Sequence, residues 1–65
     1  MYDIYVVIKI DKSHFEIEAD GKSIILVLSV LDKELAKSLL VGDQLEGIVD
    51  GKASILHRYM PKLED

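Results

Sequence analysis

His14, Glu16 and Glu18 are the residues whose types and spacing come closest to a chemical site. They alternate along the chain, so a strand would present all three side chains on one face. An imidazole with two carboxylates is a donor set that a divalent cation accepts. Metal-binding histidines normally need a fixed second shell of partners as well, so the favoured interpretation is a solvated strand face with no metal and no cofactor.

The two histidines give little indication of nucleophilic chemistry. Ser13 and His14 are sequence neighbours at a turn, whereas a nucleophile and its base are normally held by a third, orienting group. His57 shares its parity with Ile55 and Tyr59, which predicts an inward-facing, hydrogen-bonded histidine with a structural role.

Paired carboxylates for acid-base catalysis need a cleft, and so short a chain offers little room for one. The carboxylates in question are Glu16, Glu18 and Glu46. The sequence contains no phosphate-binding glycine loop, no Walker-type lysine and no metalloprotease helix motif. We therefore expect no catalytic residues and no enzymatic activity.

The first two predicted strands are joined by a tight turn. Residues Tyr2 to Ile10 alternate, and the face of the even-numbered residues is predicted to be core. Residues Phe15 to Ala19 alternate again, with Phe15, Ile17 and Ala19 inward. A two-residue loop of Lys12 and Ser13 predicts four pairs: Ile10 with Phe15, Ile8 with Ile17, Val6 with Ala19, and Lys9 with Glu16.

The longest apolar run, Ser23 to Leu31, is predicted to lie at the centre of the fold or at an interface, because it does not alternate. It follows Asp20-Gly21, a strong turn signal. A two-residue turn directs Ile24, Leu26 and Leu28 inward, whereas a three-residue turn with a bulge at Gly21 selects Ile25 and Val27. The pattern alone leaves both registers open.

A similar pattern recurs 30 positions later, where residues 45–56 repeat the Glu, Asp-Gly-Lys and Ile-Leu of residues 15–26. We interpret this repeat as convergent turn chemistry in two tight hairpins rather than as a duplicated binding hairpin. A three-residue loop pairs the apolar positions of the second hairpin best. By analogy, it favours the bulged turn in the first hairpin as well.

An amphipathic helix is predicted from about Val30 to Leu40, on the one-turn spacing of Leu31, Leu35 and Leu39. Ser29 or Asp32 would cap its start. Gly42 fits the left-handed residue that closes a helix.

Two further strands follow at about residues 44–49 and 53–60, joined at Asp50-Gly51 and ended by Pro61. The predicted fold class is mainly β: a five-stranded antiparallel small barrel, OB-like or else SH3-like, with one short helix between strands three and four. Strand one is long enough to pair at both of its ends. Residues 1–60 are predicted to form a single domain and residues 61–65 a frayed tail.

Size and composition favour self-association. The chain has 65 residues, 49% of them apolar, and no cysteine, which puts it near the lower size limit for a fold without disulfides. Some apolar surface should therefore remain outside the monomer's core.

The net charge of -4 disfavours binding to nucleic acid and to anionic membranes. With no membrane-length apolar run and no recognisable signal peptide, we expect a cytoplasmic protein that binds no membrane.

Two short motifs resemble a pattern found in small OB-type barrels: Val41-Gly42-Asp43 after the predicted helix, and Asp20-Gly21-Lys22 between strands two and three. Three groups share it: translation-initiation-factor-like OB domains, small hydrogenase-maturation chaperones, and short uncharacterised bacterial proteins. The resemblance implies an OB-like barrel. The chaperones use an N-terminal cysteine, which is absent from Met1-Tyr2-Asp3. The initiation-factor-like domains are basic and bind RNA, whereas this chain is acidic.

We therefore expect a non-catalytic interaction or assembly module that contacts itself, as a homo-oligomer, or a protein partner through a second apolar face. The predicted interaction surface comprises Tyr5, Val7, Ile25 and Val27. One alternative is a single-stranded nucleic-acid-binding OB domain, with contacts from Tyr5, Lys9, Arg58 and Tyr59. Another is a small inhibitor that occludes a partner's site.

Overall fold

Five antiparallel strands form one sheet in the computed structural model, which describes residues 2–50 and 53–61. The strands are β1 (Tyr2–Ile10), β2 (His14–Ala19), β3 (Lys22–Val27), β4 (Gln44–Ile48) and β5 (Ile55–Arg58). A 3-10 turn (Leu28–Val30) and helix α1 (Lys33–Ser38) connect β3 to β4. The mainly β class and the position of the helix are thus confirmed. Gly51 and Lys52 of the predicted second turn, and the predicted fraying of residues 62–65, lie outside the described residues.

The spatial order of the strands is β3-β2-β1-β4-β5, so β1 is central. Its first half pairs with β4 and its second half with β2, which confirms that β1 pairs at both ends. β3 and β5 have one neighbour each, and no ladder between them closes a barrel in the described part of the chain. The predicted central position of the apolar run is therefore wrong, because β3 forms an edge of the sheet.

The side chains of β1 exchange faces of the sheet at Ile8. The observed pairs with β2 are Ile10 with Phe15, Lys9 with Glu16, Val7 with Ile17, and Val6 with Glu18. The register shifts by one residue between Val7 and Lys9, as in a β-bulge. Because side chains in a strand alternate, one extra residue moves every earlier side chain to the opposite face. The predicted pairs Ile10 with Phe15 and Lys9 with Glu16 are confirmed, whereas Ile8 with Ile17 and Val6 with Ala19 are wrong.

The bulge decides which residues of β1 enter the core. Tyr5 and Val7 are buried, although the sequence pattern placed them outside. The even-numbered residues up to and including the bulge, predicted as core, are exposed: Tyr2, Ile4, Val6 and Ile8. Only Ile10, which lies beyond the bulge, packs against the core as predicted.

The β2–β3 hairpin has a two-residue turn. Asp20 and Gly21 have positive φ angles of 53° and 76°, as a turn of the I′ type requires. Ala19 pairs with Lys22 directly across it. This register confirms the two-residue alternative and contradicts the bulged one, so Leu26 is buried.

Helix α1 is shorter than predicted, because Asp32 caps it. The Asp32 carboxylate accepts a hydrogen bond from the Glu34 backbone N–H at 3.2 Å, and Ser29 lies in the preceding 3-10 turn. Gly42 has a φ of 99° but serves a turn after the helix, closed by the Asp43 N–H donating to the Leu40 carbonyl at 3.0 Å. The three leucines predicted to form the apolar face of the helix, Leu31, Leu35 and Leu39, are buried in the core as expected, but only Leu35 lies within the helix.

The β4–β5 hairpin departs from the predicted register. Ile48 pairs with Ile55 and Gly47 with Leu56, so the connection spans residues 49–54 and is longer than the predicted three-residue loop. Leu45 and Leu56 face the core. The two hairpins therefore differ in the length of their connections, residues 20–21 in the first and 49–54 in the second.

The backbone of β5 lies very close to Gly47 of β4. The φ angle of Gly47 is 148°, and a Cβ atom there would overlap the carbonyl oxygen of Ile55. Only glycine satisfies both the backbone angle and this contact.

We predict that Gly47→Ala lowers the free energy of unfolding by about 3 kcal/mol, because strain at positive φ adds to the overlap with Ile55. Urea denaturation followed by circular dichroism measures this loss. Gly42→Ala is the control: it also has positive φ but has no atom within 4 Å of the added Cβ, and we expect a cost of about 1 kcal/mol. Equal costs for the two variants would contradict the close approach of β5.

Candidate functional site

Apolar side chains form a continuous area on the outer face of the sheet. Tyr2 pairs with Ile48, and Ile48 pairs in turn with Ile55, so the three make a row across β1, β4 and β5. Their exposed fractions are 56%, 40% and 66% respectively. Together with the exposed side chains of Ile4 and Val6 on β1, they form what we call the outer apolar patch: Tyr2, Ile4, Val6, Ile48 and Ile55.

A polar pair borders this row on the outer face. Glu46 pairs with both Ile4 and His57 in the sheet, and His57 Nε2 lies 3.0 Å from Glu46 Oε1. A hydrogen bond to Glu46, with some desolvation, raises the pKa of Tyr2 above its usual value. The predicted inward orientation of His57 is wrong, because the observed register of β5 places Leu56 inward and His57 outward.

The predicted interaction surface is divided between the two faces of the sheet. Tyr5 and Val7 belong to the core, and burial raises the pKa of the Tyr5 hydroxyl. Ile25 and Val27 point outward, as the two-residue turn alternative implied. A second apolar face therefore exists, but on β1 it is made of the even-numbered residues.

The outer apolar patch was missed in the sequence for two reasons: the bulge at Ile8, which turns the even-numbered residues of β1 outward, and the register of β5, which turns Ile55 outward. The available signal was that β1 carries apolar residues of both parities, Val6 and Val7 being adjacent. That signal shows that one apolar set is exposed, but not which one.

The residues predicted for nucleic-acid contacts do not form a common stacking surface. Tyr5 is buried, and Lys9 lies on the outer face opposite Glu16. Arg58 is bound to Asp43 at 2.8 Å and to Ser38 Oγ at 3.0 Å. Single-stranded nucleic acid is bound by exposed aromatics beside free cationic groups. Of the two aromatic residues in this set, Tyr59, which follows β5, is the one that is only half-buried.

His14, Glu16 and Glu18 share the outer face of β2, as predicted. In residues 2–50 and 53–61, no three acidic, histidine or cysteine side chains are arranged to hold a metal ion. Ser13 Oγ lies 2.8 Å from His14 Nδ1, and this exposed pair sits at the β1–β2 turn. Water has free access there, which does not favour an activated nucleophile.

Arg58, Asp43 and Ser38 form a polar network that ties three segments together. Arg58 of β5 contacts Ser38 at the end of α1 and Asp43 in the turn before β4. Asp43 Oδ2 also accepts a hydrogen bond from the Leu40 backbone N–H at 2.9 Å. The Arg58 guanidinium, with this backbone N–H, holds the pKa of Asp43 below its usual value. The network stabilises the fold, so Arg58 has a structural partner in the monomer.

We predict that Asp43→Asn lowers the free energy of unfolding at pH 7 by about 0.5–1 kcal/mol, because a partly exposed ion pair usually contributes a stabilisation of this size. Since the folded-state pKa lies below the unfolded value of about 4, this stabilisation is complete above that value. It is lost as the pH falls through the folded-state pKa. Urea denaturation at pH 7 and pH 2 should therefore show a difference from wild type only at pH 7.

Glu18→Gln, on the exposed outer face of β2, is the control for removing one negative charge. It should change the unfolding free energy little at either pH. A difference for Asp43→Asn that persisted at pH 2 would contradict an electrostatic role for Asp43.

Among the described residues, no helix is long and apolar enough to cross a membrane. The sequence matches no known protein-family model, and neither the curated proteins nor the solved structures contain a significant match to it.

Proposed function

We propose that this protein is a non-catalytic interaction module that self-associates through the outer face of its sheet. The observation that carries the proposal is the row of Tyr2, Ile48 and Ile55, which are exposed side by side on three adjacent strands. Contiguous exposed apolar side chains are uncommon on small soluble monomers and mark contact surfaces.

The energetics support contact at this face. Fully burying one large aliphatic side chain contributes about 1.5–3 kcal/mol. The outer apolar patch offers four aliphatic side chains and the ring of Tyr2, each more than one-third exposed in the monomer. Covering the patch therefore yields part of that free energy at each aliphatic position. No residue of the patch is charged, and the neighbouring Glu46 is paired with His57. Glu18, opposite Val6 on β2, lies at the border of the patch and not within it.

The sheet supports an OB-like architecture as part of the same proposal. The central position of β1, its pairing at both ends, and the helix between β3 and β4 fit an OB-type barrel left open between β3 and β5. In this arrangement the helix packs at one end of the core. The SH3-like arrangement is the second choice.

Sedimentation velocity of the wild-type protein from 1 µM upward tests self-association, and Ile55→Glu tests the surface. We expect Ile55→Glu to weaken association by about tenfold or more, because a carboxylate would be buried against apolar side chains. Leu40→Glu is the matched control, since Leu40 is exposed to nearly the same extent, 67% against 66%, but lies in the turn before β4.

A wild-type protein that stays monomeric up to several hundred micromolar would overturn the proposed self-association. Equal effects of Ile55→Glu and Leu40→Glu would show that net charge, rather than the outer apolar patch, controls it. Circular dichroism of each variant establishes that the fold is retained.

A further inference from the structure

β3 has a free hydrogen-bonding edge. The Leu28 backbone N–H donates to the Ser13 carbonyl at 2.8 Å, so the even-numbered residues of this segment point their peptide groups toward β2. Peptide groups alternate along a strand. Those of Ser23, Ile25 and Val27 therefore point away from β2, where the described residues provide no neighbouring strand.

The two edges of the sheet differ in protection. Edge strands are usually shielded by charges, proline, bulges or a covering helix. β5 is only four residues long, and its Arg58 is bonded to Ser38 of α1. β3 is longer, and its segment Ser23–Val27 has no charge, no proline and an unbroken register with β2. Ile25 on this segment is 65% exposed.

We propose that the β3 edges of two copies of this chain pair antiparallel about a two-fold axis, with Ile25 opposite Ile25 of the second copy. This inference rests on the proposed self-association and specifies a contact additional to the outer apolar patch. The register follows from the edge itself. When Ile25 lies on the axis, all three residues with free peptide groups pair with the second copy. Ser23 then pairs with Val27 of the second copy, Val27 with its Ser23, and Ile25 with its Ile25. No other register pairs all three.

The charges near this edge permit the approach of a second copy. Glu16 lies beside Ile25 on the outer face. In the paired form, three strand spacings separate it from its symmetry mate, a distance of about 14 Å. That exceeds the screening length of about 8 Å at physiological salt. Glu18 of β2 lies beside Ser23 of β3. In the paired form this row continues into the second copy at Val27 of its β3 and His14 of its β2. No other pair of acidic residues is therefore brought together.

Edge pairing also leaves the outer apolar patch accessible. The patch lies on β1, β4 and β5, on the far side of β2 from the β3 edge. Two copies joined at β3 form one continuous ten-stranded sheet, the sum of five strands from each. The outer faces of both copies then lie on the same side of that sheet, so the two contacts do not compete.

The test uses charge exchange at the position that faces itself. Ile25→Lys alone and Ile25→Glu alone each place like charges opposite one another, and we expect each to weaken association by tenfold or more. An equimolar mixture of the two variants places Lys opposite Glu, and should restore association to within a few-fold of wild type. Sedimentation velocity measures all three samples, with Leu40→Lys and Leu40→Glu, singly and mixed, as matched controls.

Hydrogen exchange on the wild-type protein provides an independent measurement that does not depend on the folding of any variant. The amides of Ser23, Ile25 and Val27 should become protected as the protein concentration rises through the association range. The amides of Tyr5 and Ile48, whose peptide groups point into the β1–β4 and β4–β5 ladders of the monomer, should already be protected at low concentration.

The outcomes separate the two proposals. Wild-type association that Ile25→Lys and Ile25→Glu leave unchanged, or β3 amides that stay unprotected on association, would overturn edge pairing while the proposed function stands. Loss of association in Ile55→Glu but not in the Ile25 variants would assign self-contact to the outer apolar patch alone. A monomeric wild-type protein with unprotected β3 amides would overturn both proposals.

Discussion

The one-residue register shift at Ile8 is the constraint on which the rest of this structure depends. A strand exposes its two sides alternately, so the shift exchanges the faces of everything before it. It brings Tyr5 and Val7 into the core, where Ile17 and Leu45 meet them, and turns Tyr2, Ile4 and Val6 outward. The β1 part of the outer apolar patch is the direct consequence, because a strand with apolar residues of both parities must expose one set.

Chain length is the second constraint. Five strands and a six-residue helix enclose a single small core, and the described sheet ends in two edges instead of closing on itself. The chain shields these edges unequally, with the Arg58 network beside β5 and no charge along Ser23–Val27. Backbone groups at an open edge retain their capacity to pair with a further strand. The molecule therefore has two separate surfaces suited to assembly, the outer apolar patch on the face of the sheet and the open edge of β3.

Local rules predicted the parts of the fold that depend on neighbouring residues. The presence of a turn at Asp20-Gly21, the two-residue loop before His14 and a helix start near Asp32 follow from short-range geometry, although the repeat favoured the bulged form of the first turn and Ser29 stayed open as the cap. The register of β4 against β5 could not be predicted in this way, because a connection of residues 49–54 does not force one pairing. The orientation of His57 and the partners of Arg58 depended on that register. Both were therefore placed by contacts distant in sequence.

From sequence alone, the chain is determined to be mainly β, with strands, turns and a short helix in the observed order, and to have more apolar residues than one core accommodates. Those properties follow from periodicity, turn chemistry and size, which are local or compositional. Only the tertiary structure decided that β1 is central, that the apolar run becomes an edge strand, and which apolar face is outward. The physical reason is that strand order and a single bulge depend on long-range pairing, and one residue of register exchanges the two faces.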